Sequence, residues 1–122
     1  MSTMTPIIIF DENNNLKLVS GSPGGALIPA AVLRVVTGLI DFNLNLGEAT
    51  MLPRLHKDWP YLNLRYEKGF SKDTLAILSS YGHQLEQSKT MGSTQSILVN
   101  ADSKEGFADL RRPNAGVAIQ ID

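Results

Sequence analysis

Two consecutive glycines follow a proline in Gly21-Ser22-Pro23-Gly24-Gly25-Ala26, and the segment sits between an apolar strand pattern and an almost wholly apolar helix pattern. This junction limits the fold more than any other stretch, because a strand must arrive and a helix must leave through backbone that only glycine enters cheaply. Successive N–H groups in such a turn face the same way. The helix that follows adds unpaired N-terminal donors and the positive end of its dipole. In outline this is a pocket for an anion or an oxyanion, although turn geometry alone accounts for such glycines equally well. A nucleotide-binding P-loop is excluded, since no Lys-Ser or Lys-Thr follows the glycines.

The flanking patterns are local and readable. Ile7-Ile8-Ile9-Phe10 is β-branched and aromatic, Asp11 to Asn15 is a turn cluster, and Leu16 to Val19 returns, so residues 6–21 read as a β-hairpin. The helix after the glycines takes Pro29 in its first turn, where the missing N–H costs nothing. Arg34, Thr37 and Asp41 form a single narrow polar stripe on it, which predicts a helix covered nearly all round. Asn45 with Glu48 three residues on is a capping box, and Pro53 stops that short helix. Residues 54–66 read as irregular or extended, with Leu62, Leu64 and Tyr66 alternating. A third helix has Ser71 as N-cap, Phe70 and Leu75 in hydrophobic-staple positions, an apolar face of Leu75, Leu78 and Tyr81, and Gly82 as its stop. Residues 84–88, 95–99 and 105–108 read as short strands. The order is that of a single α+β or layered domain over residues 1–122.

Composition narrows the function classes. With 122 residues, 43% of them apolar and 19% charged, the chain has enough apolar sequence for one core. A net charge of −1 with scattered Lys and Arg offers no electrostatic case for nucleic acid or an anionic membrane. The longest apolar stretch, Ala26 to Ile40, is interrupted by Arg34 and Thr37 and falls short of the roughly 20 residues of a bilayer span. No basic region precedes Ile7, so no export signal is read at the start. Without cysteine there is neither a disulfide nor a thiolate metal site. His56 and His83 stand in different elements with no acidic partner at metal-ligand spacing, and packing or surface roles are expected of them. No metal and no cofactor is expected.

Several motifs in order carry a resemblance. Ser2-Thr3-Met4-Thr5-Pro6 before a strand, Gly21-Ser22-Pro23-Gly24-Gly25, Ile40-Asp41-Phe42 with Leu44-Asn45 and Glu48-Ala49, and Pro53-Arg54-Leu55-His56 with Trp59 come first. Glu67-Lys68-Gly69-Phe70-Ser71, Asp73-Thr74-Leu75, Gly82-His83, Met91-Gly92-Ser93 with Gln95-Ser96-Ile97, and Ala108-Asp109 with Arg111-Arg112 follow. Together they resemble the C-terminal part of the small subunit of the γ-glutamyltranspeptidase family, over essentially the whole chain. The resemblance implies a layered αββα fold, part of an N-terminal nucleophile hydrolase sandwich. It also implies acyl transfer or hydrolysis of γ-glutamyl amides such as glutathione, through an ester on a threonine exposed when a precursor cleaves itself.

Carried over by position, Gly24 and Gly25 match the backbone donors of the oxyanion hole, and Ser2 and Thr3 match the pair that binds the substrate α-carboxylate. Thr3 departs from the commoner serine but keeps the hydroxyl. Ala26 stands where a serine often follows the glycines, Lys57 where a second histidine is common, and Leu110 where proline usually continues the Asp109 motif. The nucleophilic threonine and the groups holding the substrate amine are expected outside this chain, in the large subunit and the N-terminal half of the small subunit. Alone, the chain is expected to be inactive and to self-associate through uncovered strand edges. The resemblance also implies a periplasmic or secreted parent. The alternative is a separately encoded, non-catalytic domain with an assembly or γ-glutamyl-binding role. Asp109 with Arg111 or Arg112 is read as an internal ion pair, and Met91-Gly92-Ser93 as a strand start where the backbone passes close to another segment.

Overall fold

The computed structural model describes residues 4–60 and 63–120. Strands β1 (Ile7–Phe10) and β2 (Leu16–Gly21) form the expected hairpin, with Asp11 folding its turn by accepting the N–H groups of Asn13 and Asn15. Asn14 takes a φ of 63° there, a left-handed conformation that asparagine tolerates. A 3-10 turn (Gly25–Leu27) leads into α1 (Ile28–Ile40), which carries proline in its first turn. Next come α2 (Leu46–Met51), β3 (Leu55–His56), β4 (Asn63–Tyr66), α3 (Lys72–Ser80), β5 (Gln84–Gln87), β6 (Gln95–Val99) and β7 (Lys104–Ala108).

Two sheets result. The larger is antiparallel in the order β1-β2-β6-β7, and the smaller is β3-β4-β5, with β4 and β5 parallel. Side chains alternate across the larger sheet. One face presents Ile9, Leu18, Leu98 and Phe107 to Val35, Val36 and Leu39 of α1 and Leu46 of α2, and this is the core. On the same side Ser20 faces Ser96 in register, and their hydroxyls bond at 2.7 Å, satisfying two buried polar groups with each other. The opposite face carries Ile8, Val19 and Ile97 in one cross-strand row.

The side-chain caps form as read from the sequence. Asn45 and Glu48 cap α2 reciprocally, and the Ser71 hydroxyl accepts the Thr74 N–H at the start of α3. Phe70 stands edge-on to Tyr66, with ring centroids 6.3 Å apart. Two expectations need correction. Helix α1 is covered on one side only, since Leu33 is 61% exposed while Ala31, Val32 and Val35 are buried. The stripe pattern reads hydrophobicity, not the presence of a neighbour, and among the described residues Leu33 stays largely uncovered. Likewise α3 buries no residue fully: Leu75 and Leu78 are half-buried, and Tyr81 is exposed.

Candidate active site

The glycine turn lies where β2 ends against the start of α1. Gly24 has φ 139° and Gly25 φ 61°, both conformations that L side chains rarely adopt. The carbonyl of Gly24 accepts the Leu27 N–H at 3.3 Å, and that of Gly25 accepts the Ile28 N–H, which starts the helix. The two glycine N–H groups donate to no acceptor among the described residues, and Gly24 is exposed. A pair of consecutive unpaired donors at a helix entrance can hold negative charge on an oxygen. Ser2 and Thr3 lie outside the described residues.

Behind this turn stands the Met91-Gly92-Ser93 segment. Gly92 has φ 68°, and a Cβ at that position would lie 2.8 Å from Ser22 Oγ and 2.9 Å from Ala31 Cβ. The close backbone approach expected of this segment is therefore made against the glycine turn and α1. The Ser93 N–H donates to Ser22 Oγ at 2.9 Å, and the Ser22 hydroxyl donates to the Pro23 carbonyl at 2.8 Å.

Both ends of the segment are held by buried charge. Glu67 accepts the Met91 N–H, the Arg54 guanidinium donates to the Met91 carbonyl at 2.6 Å, and Asp109 accepts the Thr94 N–H at 3.0 Å. Arg54 and Asp109 pair at 2.7 Å with almost no exposure, and Arg111 bridges Asp109 and Glu67. Burial pushes the Asp109 carboxyl up, but N–H groups donated by Arg111 and Thr94 and the charges of Arg54 and Arg111 outweigh it and hold the pKa below the ordinary carboxylate value. For Arg111, burial works against the charge, and its bonds to Glu67 and the attraction of Asp109 raise its pKa all the same. The expected internal pair is thus Asp109 with Arg111; Arg112 is exposed. Sequence reasoning missed Arg54, Glu67 and Ser22 as parts of this assembly. All three stand in the quoted motifs, which was the only signal.

The histidines belong elsewhere. His56 Nε2 lies 2.5 Å from Asp58, which also pairs with Arg65, and His83 lies 3.5 Å from the Lys57 ammonium. The bond to His56, stronger than the opposing burial, holds the Asp58 carboxyl below its ordinary value.

A helix-covered antiparallel sheet that delivers a donor-rich glycine turn to a helix entrance matches the architecture of N-terminal nucleophile hydrolases. An acivicin-inhibited gamma-glutamyltranspeptidase superposes with a TM-score of 0.88 at 36% identity, over 93% of this chain and 62% of that one. A threonine-to-alanine mutant of the Helicobacter pylori gamma-glutamyltranspeptidase gives 0.86 at 37% identity, over 92% and 62%. The sequence profile described as Gamma-glutamyltranspeptidase matches residues 1–119, and the chain belongs to that family. The Escherichia coli K12 glutathione hydrolase proenzyme is 45% identical over 104 residues, which are 85% of this chain and 18% of that protein. The chain therefore spans less than a fifth of that relative and under two thirds of the two solved chains.

Proposed function

We propose that this chain is the C-terminal portion of an acyl-transfer enzyme acting on γ-glutamyl amides such as glutathione, and that it contributes oxyanion donors to a site whose nucleophile comes from other sequence. In this reading the Gly24 and Gly25 N–H groups stabilise the tetrahedral oxyanion, and Ser2 and Thr3 bind the α-carboxylate of the γ-glutamyl group. The observation that carries it is the pair of consecutive glycine N–H groups without acceptors among the described residues, in left-handed backbone that glycine enters most cheaply. Support also comes from the acivicin-inhibited relative, whose C-terminus has critical roles in autoprocessing and catalysis. The large subunit and the N-terminal half of the small subunit are the partners this requires. A separately encoded domain with an assembly or γ-glutamyl-binding role is the second reading.

The test is complementation. The chain alone is expected to release no chromophore from a γ-glutamyl anilide, and co-expression with the preceding part of the Escherichia coli relative is expected to give turnover. Gly24→Ala places a Cβ 3.3 Å from Gly92 Cα at an unfavourable φ, and is expected to lower that turnover about a hundredfold to a thousandfold. Turnover by the chain alone would sink the first reading. A well-formed but inactive complemented assembly would favour the second.

A further inference from the structure

We infer that Ser22 is the positioning residue for the Gly24 donor; this rests on the reading of Gly24 as part of the oxyanion hole. The peptide unit joining Pro23 to Gly24 is planar, so its carbonyl and its N–H point in opposite directions. Whatever fixes the Pro23 oxygen therefore aims the Gly24 hydrogen. The Ser22 hydroxyl does so by donating to the Pro23 carbonyl at 2.8 Å. A hydroxyl rotates freely unless its oxygen is also engaged, and here the Ser93 N–H donates to that oxygen at 2.9 Å. Ser22 is only 8% exposed, so water does not compete freely for either bond.

The second anchor is itself immobilised. Ser93 lies in the segment whose two ends are held by Glu67, Arg54 and Asp109, and Gly92 lacks the Cβ that would push Ser22 Oγ away. A chain of contacts thus runs from the buried ion network through the Ser93 amide and the Ser22 hydroxyl to the Pro23–Gly24 peptide. With Ser22 removed, no side chain among the described residues restrains that carbonyl. The Gly24 peptide, already in glycine-only backbone, becomes free to rotate. A donor that samples several directions loses the preorganisation on which oxyanion stabilisation depends.

The experiment reads the geometry first and the chemistry second. Residual dipolar couplings of backbone N–H groups, measured on this chain in solution, report bond orientation directly. Ser22→Ala is expected to collapse the Gly24 coupling toward zero while those of Val32 and Val35 in α1 hold, and Ser22→Thr is expected to restore it. An unchanged Gly24 coupling in Ser22→Ala overturns the inference. In the unaltered chain the Ser93 amide is expected to exchange with solvent at least about tenfold more slowly than the Gly24 amide. Equal exchange overturns the inference even if no variant folds. In the complemented assembly, Ser22→Ala is expected to lower kcat about a hundredfold with KM little changed, and Ser22→Thr to recover most of it. An unchanged kcat overturns the positioning role, whereas an assembly of unaltered sequence without any turnover overturns the functional reading and leaves the couplings to decide the geometry.

Discussion

Arg54 carries its guanidinium into the centre of the fold, where it meets Asp109, the Thr50 and Met91 carbonyls and the Thr94 hydroxyl. Arg111 binds Glu67 through two guanidinium nitrogens and Asp109 through a third, so two cations face two carboxylates with the charge balanced. Removing one member strands the others without water. Asp109→Ala is therefore expected to cost about 3–5 kcal/mol, read as a lower urea midpoint; an unchanged midpoint would refute the account. The pH dependence has a defined sign. Asp109 holds its proton less readily folded than unfolded, so its stabilisation is complete above the unfolded value of about 3.9 and is lost as pH falls through the lower folded value. Acid titration of the midpoint should steepen below about pH 4, and Asp109→Ala should remove part of that slope. Little of this was legible in the sequence. Asp109 and Arg111 are two residues apart and suggest a pair, but Arg54 and Thr94 lie 40 residues apart and Glu67 and Arg111 lie 44 apart. Only the folded chain reveals which distant charges share one site.

Between elements, α1 packs tightly on α2. A Cβ on Gly38 would stand 2.8 Å from the Ala49 Cβ and 3.2 Å from its Cα, so the helices meet through the smallest residues available. The Leu44 N–H closes the connection by donating to the Gly38 carbonyl at 3.0 Å. Gly38→Val is expected to force the helices apart and cost about 1–3 kcal/mol, measurable by thermal or urea unfolding, with α2 losing amide protection first. No loss, or loss spread evenly over the chain, would refute the contact. Elements whose signals are local were readable: the Asn45–Glu48 capping box, the Ser71 cap and the hairpin all rest on spacings of a few residues. The parallel pairing of β4 with β5 was not, because it depends on how α3 returns the chain rather than on the strand residues. The glycine turn is an intermediate case. Its conformational demand is written in Gly24 and Gly25, but its brace, Ser93 on Ser22, spans 71 residues.

At the scale of the whole molecule, no helix among the described residues covers the face of the main sheet that carries Ile8 and Ile97. Ile8 is 62% exposed and Ile97 49%, in register through Val19, and Val117 is the residue that would meet a Cβ on Gly106 in the neighbouring strand. Around the edge of β1 the apolar surface continues into a groove of about 490 Å³ lined by Ile7, Ile9, Pro29, Val32 and Leu33. Burying apolar area is worth about 25 cal/mol per Å², so a chain studied alone gains by covering this face with another copy. Light scattering is therefore expected to show dimers or larger species at micromolar concentration, together with dye binding typical of exposed apolar surface. Paired substitutions Ile8→Lys and Ile97→Lys would place like charges across one row of the outer face without touching the core around Leu18 and Val35. They should shift the population to monomer with little change in the unfolding midpoint. A strictly monomeric unaltered chain, or association insensitive to both lysines, would show that this face is not what drives copies together.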